Sequence, residues 1–312
     1  MSLKGRDIMH ARDFSKDECD YILDLTDYFH SQYKRKELNK IAVDKIIALL
    51  FFEPSTRTSF AFEAAIQHLG GGSIGESGVE ATSYKKGESF TDGIRMVDKF
   101  CDLIVMRHPE QGAPQRAAEV ADVPVINCGD GNSQHPTQPL LELYAIKKLR
   151  GDVSGLNVVL MGDLKHMRVD HSIVYTLAMY GNHVIYVSPP ELTMPEEITN
   201  EVKTRYHAKI SAMDPPEALE IADVVYITPI AKRRFEDPKE YEKFASLGTY
   251  NINMKTLQKA KKDLLVLAPL PRYEEVSTEL DSTSYQGYFK MYEYAVPSKM
   301  AILSTVLGLD TP

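Results

Sequence analysis

A cluster of hydroxyl side chains and one arginine follows the first strongly apolar segment of the chain. Ser55, Thr56, Arg57 and Thr58 come directly after the apolar segment Ile46–Phe52 and lead into a helical pattern. Free backbone N–H groups and the helix dipole favour an anion at the start of a helix. An arginine adds a planar, permanently charged fork that suits phosphate. A helix cap needs only one hydroxyl, so the segment indicates a phosphate site rather than a simple cap.

Three more side chains follow apolar segments in the same half of the chain. Arg107 comes after Leu103–Met106. His135 and Gln138 come after Val123–Asn127 and are three residues apart at the start of a predicted helix, so they share one face. Together these two residues offer donors for a carbonyl oxygen and a partner for an amide. Ligands of parallel α/β sheets bind beyond the carboxyl ends of the strands, which makes all three candidates for one site.

The polar segment at residues 82–88 contains Ser83 and Lys86. A Lys-Lys-Gly sequence is more often a solvated turn than a binding site. The residues alone therefore predict a turn here.

Alternation of apolar strands and helical patterns in two blocks predicts the elements that position these side chains. We expect an α/β protein with two doubly wound domains, each with a mostly parallel sheet, joined by long interdomain helices. The predicted domains are 1–134 with 292–312, and 135–291. A last helix, beginning at Pro297, is expected to pack back on the first domain.

Composition excludes several classes of function. The 312 residues carry a net charge of −8, which argues against nucleic-acid binding, and no apolar run approaches the ~20 residues that span a bilayer. The N-terminus lacks an apolar signal core and the three cysteines are unclustered, so we expect a cytoplasmic protein with reduced thiols and no metal site. The chain has neither a dinucleotide fingerprint nor a P-loop, and no cofactor is predicted.

Five segments together give the chain a family resemblance. They are FFEPSTRT, VMRHPEQGA, GDGNSQHPTQPLLELY, MGDLKHMR and PLPR. In this order and spacing the chain resembles the aspartate/ornithine carbamoyltransferase family essentially end to end, and is most similar to its aspartate-specific members. The resemblance implies transfer of a carbamoyl group from carbamoyl phosphate to an amino acid, nominally L-aspartate in pyrimidine biosynthesis. It also implies a homotrimer whose active sites are shared between subunits, and it leaves open whether a regulatory chain binds.

The resemblance also assigns roles to individual residues. The implied catalytic residues are Arg57, Thr58, Lys86, Arg107, His135 and Gln138. Carbamoyl phosphate would be bound by these six together with Ser55, Thr56 and Ser83, with Ser83 and Lys86 reaching in from the neighbouring subunit. Arg168 would bind the α-carboxylate of the acceptor, and the carbonyl of Leu270 its amine. The family's Leu-Pro turn predicts a cis peptide between Leu270 and Pro271.

The second half of the chain departs from the family where the acceptor would bind. Pro229 and Ala231 stand where aspartate-specific members have an arginine and a glutamine. The lost arginine would hold the side-chain carboxylate of aspartate. Arg233 is a candidate replacement, although a surface arginine in a basic run is the simpler interpretation. Two alternatives therefore stay open: the same reaction on a different amino acid, or a catalytically weak paralogue that binds carbamoyl phosphate.

Overall fold

The structure is a computed structural model and describes residues 3–78, 86–230, 235, 238–245 and 250–309. The chain forms two compact units. Unit 1 comprises Met1–Tyr144 with Glu293–Pro312, and unit 2 comprises Ala145–Tyr292. The first division lies within the helix that begins at Thr137, whereas the sequence analysis placed it just before that helix.

Unit 1 contains one sheet and the helices around it. Its elements are α1 (Lys16–Lys34), β1 (Ile46–Phe51), α2 (Arg57–His68), β2 (Gly72–Ser77), α3 (Phe90–Val97), β3 (Leu103–His108), α4 (Ala113–Ala118), β4 (Val125–Asp130) and the start of α5 (Thr137–Arg150), and α10 (Ala295–Leu307) completes the unit. The strands are parallel in the order β2-β1-β3-β4. The connections from β1 and β3 leave in opposite directions, which opens a crevice at their carboxyl ends.

Helices α1 and α10 lie near the two ends of the chain and both belong to unit 1. α1 begins with a capping box in which Ser15 and Glu18 bond each other's backbone N–H groups. α10 packs against α1 and α2, and the N–H of Gly5 donates to the carbonyl of Val306 at 2.8 Å. The expectation that the last helix returns to the first domain is confirmed.

Unit 2 repeats the architecture with five parallel strands. Its elements are β5 (Asn157–Gly162), α6 (Arg168–Met179), β6 (His183–Val187), α7 (Glu196–Tyr206), β7 (Ile210–Ala212), α8 (Pro215–Ile221), β8 (Val224–Thr228), α9 (Pro238–Ala245) and β9 (Leu265–Leu267). The strand order is β7-β6-β5-β8-β9, so the connections diverge between β5 and β8. The two parallel sheets with interleaved helices confirm the predicted fold class.

A glycine permits the close approach of β5 and β8 at this point. Gly162 has φ +119°, and a Cβ placed there would lie 2.0 Å from the carbonyl oxygen of Thr228. Only glycine satisfies both conditions. The carboxyl ends of β5 and β8 therefore meet backbone to backbone, and the residues that follow them lie side by side.

Candidate active site

The hydroxyl cluster lies where the sequence predicts, between β1 and α2. Helix α2 begins at Arg57, and the Thr56 side chain makes no capping hydrogen bond. Thr56 and Arg57 are exposed, whereas Ser55 and Thr58 are half-buried. The hydroxyl of Ser59 donates back to the carbonyls of Ser55 and Thr56, which tightens this turn. The segment therefore presents hydroxyls and the start of a helix at the crevice of unit 1.

Arg107 is held against this cluster from the neighbouring strand. Its Nη1 donates to Ser55 Oγ at 3.3 Å, and its Nη2 donates to Glu53 Oε1 at 3.2 Å. The Arg107 and Glu53 side chains are only 14% and 17% exposed. Two contacts thus fix the guanidinium before any ligand binds. Glu53 was missed by the sequence analysis, although an acid at the carboxyl end of the strand beside Arg107 could have indicated this pair.

The turn that leads to His135 is built around Asp130. Asp130 Oδ1 accepts from Asn127 Nδ2 at 2.9 Å and from the N–H of Gln134 at 3.0 Å. Its Oδ2 accepts from the N–H of Gly112 at 2.9 Å. A carboxylate that accepts several N–H groups fixes the backbone strongly. Asp130 therefore sets the path of the chain just before the predicted site residues, and it too was missed.

His135 and Gln138 lie together at the start of α5, 4% and 7% exposed. The N–H of Gln138 donates to the carbonyl of His135 at 3.0 Å. The His135 Nδ1 atom lies 3.5 Å from Thr137 Oγ1. Gln138 Nε2 donates to Glu142 Oε1 at 3.0 Å. Both predicted residues are thus buried polar groups with fixed partners, at the strand end beside that of Arg107.

Of the segment predicted to serve a neighbouring subunit, Lys86 is described and Ser83 lies outside the described residues. Lys86 is exposed. A solvated lysine fits both the simple turn and a residue presented to another subunit.

In unit 2, Arg168 is the first residue of α6 and is 3% exposed. It follows β5, on one side of the crevice. On the other side, at the end of β8, Thr228 Oγ1 donates to Asp170 Oδ2 at 2.8 Å. Asp170 is fully buried, and the residue directly after β8 is the buried Pro229. This end of the sheet therefore carries a carboxyl group and a proline beside the predicted carboxylate site.

The remaining acceptor residues divide between the described and undescribed parts of the chain. The Leu270–Pro271 peptide is cis, as predicted, and Leu270 has φ +47°. The carbonyl of Pro269 accepts from the hydroxyl of Tyr292 at 2.6 Å. Ala231 and Arg233 lie outside the described residues.

The described ranges contain neither a cluster of metal-binding side chains nor a helix suited to cross a membrane. Among those residues no group of three or more His, Cys, Asp or Glu side chains is placed to hold a metal ion. No helix within the same ranges has the length and apolar character to cross a bilayer.

Comparison with known proteins covers nearly the whole chain. The family model described as "Aspartate/ornithine carbamoyltransferase, carbamoyl-P binding domain" matches residues 6–148. The model described as "Asp/Orn binding domain" of the same family matches residues 154–306. The aspartate carbamoyltransferase catalytic subunit of Thermococcus kodakarensis is 44% identical over 309 residues, 99% of each chain. That of Methanocella arvoryzae is 42% identical over 311 residues, 99% of this chain and 100% of its own.

Solved structures agree with the sequence comparison. Aspartate transcarbamoylase from Trypanosoma cruzi, in complex with N-(phosphonacetyl)-L-aspartic acid, superposes with a TM-score of 0.92 at 34% identity, covering 98% of this chain and 97% of its own. The catalytic subunit of M. jannaschii aspartate transcarbamoylase gives a TM-score of 0.87 at 38% identity, covering 97% and 98%. Both family models, the relatives and the architecture lead to one conclusion: the chain belongs to the aspartate/ornithine carbamoyltransferase family.

Proposed function

We propose that this chain transfers the carbamoyl group of carbamoyl phosphate to the amine of an amino acid. The nominal acceptor is L-aspartate, which gives N-carbamoyl-L-aspartate and phosphate in pyrimidine biosynthesis. The observation that carries the proposal is Arg107, fixed by Ser55 and Glu53 beside the start of α2. A preformed cation, hydroxyls and a helix start in one crevice suit a phosphate group. The relatives named as aspartate carbamoyltransferase catalytic subunits support the reaction.

The donor site divides its contacts between the two ends of carbamoyl phosphate. Ser55, Thr56 and Arg57 hold the phosphate with Thr58 and Arg107. Thr58, Arg107 and His135 donate to the carbamoyl oxygen, and Gln138 accepts from the carbamoyl NH₂. Placing donors at the carbonyl oxygen stabilises the charge that develops there.

The reaction needs a neutral amine and a good leaving group. The amine nitrogen attacks the carbonyl carbon, and the oxygen becomes an oxyanion facing Arg107 and His135. The C–N bond forms, the bond between the carbonyl carbon and the bridging oxygen breaks, and the departing phosphate keeps that oxygen and takes the proton from the amine. No side-chain base is required, and holding both substrates in register supplies the entropic part of catalysis.

Arg168 is the proposed contact for the α-carboxylate of the acceptor. The carbonyl of Leu270 is the proposed contact for the amine of the acceptor. One observation favours a second candidate, in which the acceptor lacks a side-chain carboxylate. The end of β8 carries Pro229, and the buried Asp170 carboxyl lies 2.8 Å from Thr228 Oγ1. A carboxyl group beside a site disfavours a second carboxylate. Arg233 is the proposed replacement contact if aspartate is the acceptor.

Incubation with labelled carbamoyl phosphate and a panel of amino acids tests both candidates. Carbamoyl-aspartate as the dominant product supports the nominal acceptor. Another carbamoyl-amino acid as the dominant product supports the second candidate. Binding of carbamoyl phosphate without product from any amine would show the weak paralogue and would refute transferase function.

We also propose a homotrimer in the cytoplasm, with Ser83 and Lys86 serving the neighbouring subunit. The exposure of Lys86 supports this assignment, as do the exposed apolar side chains of Met96 (53%) and Phe100 (58%) soon after it. Co-assembly of Lys86→Ala with Arg107→Met tests the shared site. Recovered activity in the mixture supports sharing, and activity no higher than that of either variant alone contradicts it.

A further inference from the structure

Two charged side chains are buried beneath the start of α5. Lys299 of α10 is 2% exposed and Glu142 of α5 is fully buried. Lys299 Nζ donates to the carbonyl of Thr137 at 2.8 Å and lies 5.5 Å from the centre of the Phe62 ring. Burying charged groups costs free energy even when they are paired. Two buried ionisable side chains that contact Thr137 and Gln138 at this place therefore call for a role beyond stability.

Glu142 determines which end of the Gln138 amide faces away from it. The structure places Gln138 Nε2 3.0 Å from Glu142 Oε1, so the NH₂ group of Gln138 faces Glu142. A carboxylate oxygen accepts this hydrogen bond and has no proton to donate to the other end of the amide. The carbonyl oxygen of Gln138 is then the end presented to a ligand. That oxygen accepts a hydrogen bond from an NH₂ group of the ligand. A methyl group in the same place offers no hydrogen-bond donor.

Lys299 acts on the same turn from the other side. Its bond to the Thr137 carbonyl fixes the backbone between His135 and Gln138. Helix α10 thereby reaches the first turn of α5 through one side chain.

We propose that Glu142 and Lys299 are positioning residues of the carbamoyl-phosphate site, which make Gln138 select a donor that carries an NH₂ group. The inference rests on the proposed function, since it concerns the same substrate. Glu142 sets the polarity of the Gln138 amide, and Lys299 holds the turn that carries it.

The charge of Lys299 links this arrangement to pH. The titratable groups that face it are Glu142 from α5 and Cys128 from β4, while α2 contributes the neutral Phe62 ring. Burial lowers the pKa of Lys299 to about 8. The lysine is thus mostly cationic at neutral pH and loses its proton just above it.

The test compares binding of carbamoyl phosphate with that of acetyl phosphate, in which a methyl group replaces the NH₂. In Glu142→Gln the new amide both donates and accepts, so either end of Gln138 can face it. We expect the preference for carbamoyl phosphate to fall by about fivefold or more, the worth of one hydrogen bond. Glu63→Gln on the exposed face of α2 is the matched control. Equal weakening of both ligands, with the preference unchanged, would overturn the inference.

A second measurement follows the preference for carbamoyl phosphate over acetyl phosphate as a function of pH. In the unaltered protein the same preference should fall as the pH rises through about 8, and Lys299→Arg, which stays charged, should keep it. A preference that stays constant in the unaltered protein would contradict the role of Lys299. Failure of the unaltered protein to bind carbamoyl phosphate would instead refute the proposed function, so the two failures are distinguishable.

Discussion

Arg107→Met removes the guanidinium that the proposed mechanism uses twice, on the phosphate and on the carbamoyl oxygen. Methionine keeps much of the volume, so the change is mainly one of charge. A hydrogen bond to a charged group contributes about 1.5–3 kcal/mol. Losing two such contacts predicts a loss of about 3–6 kcal/mol in transition-state stabilisation. We therefore expect kcat/KM for carbamoyl phosphate to fall by about 10²- to 10⁴-fold.

The structure also predicts a separate cost in stability. Arg107→Met leaves Glu53, which is only 17% exposed, without this partner. The hydrogen bond that is lost joins two charged groups, and a bond of this kind contributes about 1.5–3 kcal/mol. The double variant Glu53→Gln with Arg107→Met removes the negative charge of Glu53, which Arg107 no longer offsets. We expect this variant to recover much of the stability and none of the activity. Arg116→Met is the control, because Arg116 pairs with Glu110 at 3.2 Å while 51% exposed.

Activity is followed as phosphate release and product formation, and stability as the urea midpoint. Recovery of kcat/KM in the double variant would refute the reasoning, since Arg107 would then serve only to neutralise Glu53. Equal activity losses in Arg107→Met and Arg116→Met would do the same.

Three further predictions concern the framework of the sites. Gly162→Ala should destabilise unit 2 by about 3 kcal/mol or more, seen as a lower urea midpoint, because its Cβ would lie 2.0 Å from the Thr228 oxygen; an unchanged midpoint would contradict the close approach. Asp130→Ala should raise KM for carbamoyl phosphate and lower stability by about 2–4 kcal/mol, because three donors lose their acceptor; kinetics identical to those of the parent would contradict this role. Between about pH 8 and 10.5 the folded chain binds fewer protons at Lys299 than the unfolded chain does. The free energy of unfolding of the parent, relative to that of Lys299→Met, should therefore rise by about 3 kcal/mol across that range. Urea titrations in which this relative free energy falls or stays constant would contradict the lowered pKa.

Local patterns in the sequence predict much of the fold. The strands β1, β3 and β4 follow from apolar runs, and the helix α5 follows from the helical pattern that begins near His135. β2 was not predicted, because Gly72–Ser77 is polar and rich in glycine. It forms because six consecutive residues pair with β1. Pairing with a distant strand is a tertiary effect that local propensity does not contain.

The candidate site shows the same division between local and long-range information. The hydroxyl cluster is visible in the sequence because it follows an apolar segment, and His135 is visible because it stands at the start of a predicted helix. The pair of Glu53 and Arg107 depends on β1 lying beside β3, and strand order is set by packing across the whole sheet. Lys299 shows most clearly what local sequence patterns do not predict. A lysine in the last helix is expected at the surface, and only the structure shows that it is buried.

The predicted departure from the family at Pro229 lies in unit 2, whereas the predicted donor contact Arg107 lies in unit 1. Each unit has its own sheet and its own crevice between diverging connections. The hydrogen bonds of Arg107 to Ser55 and Glu53 lie within unit 1, whereas Asp170 of α6 and Pro229, which follows β8, belong to unit 2. Substitutions that share no partners add nearly independently. Replacement of Pro229 should therefore change KM for the acceptor without changing the binding of carbamoyl phosphate, so the identity of the acceptor can vary while the transferred group stays the same.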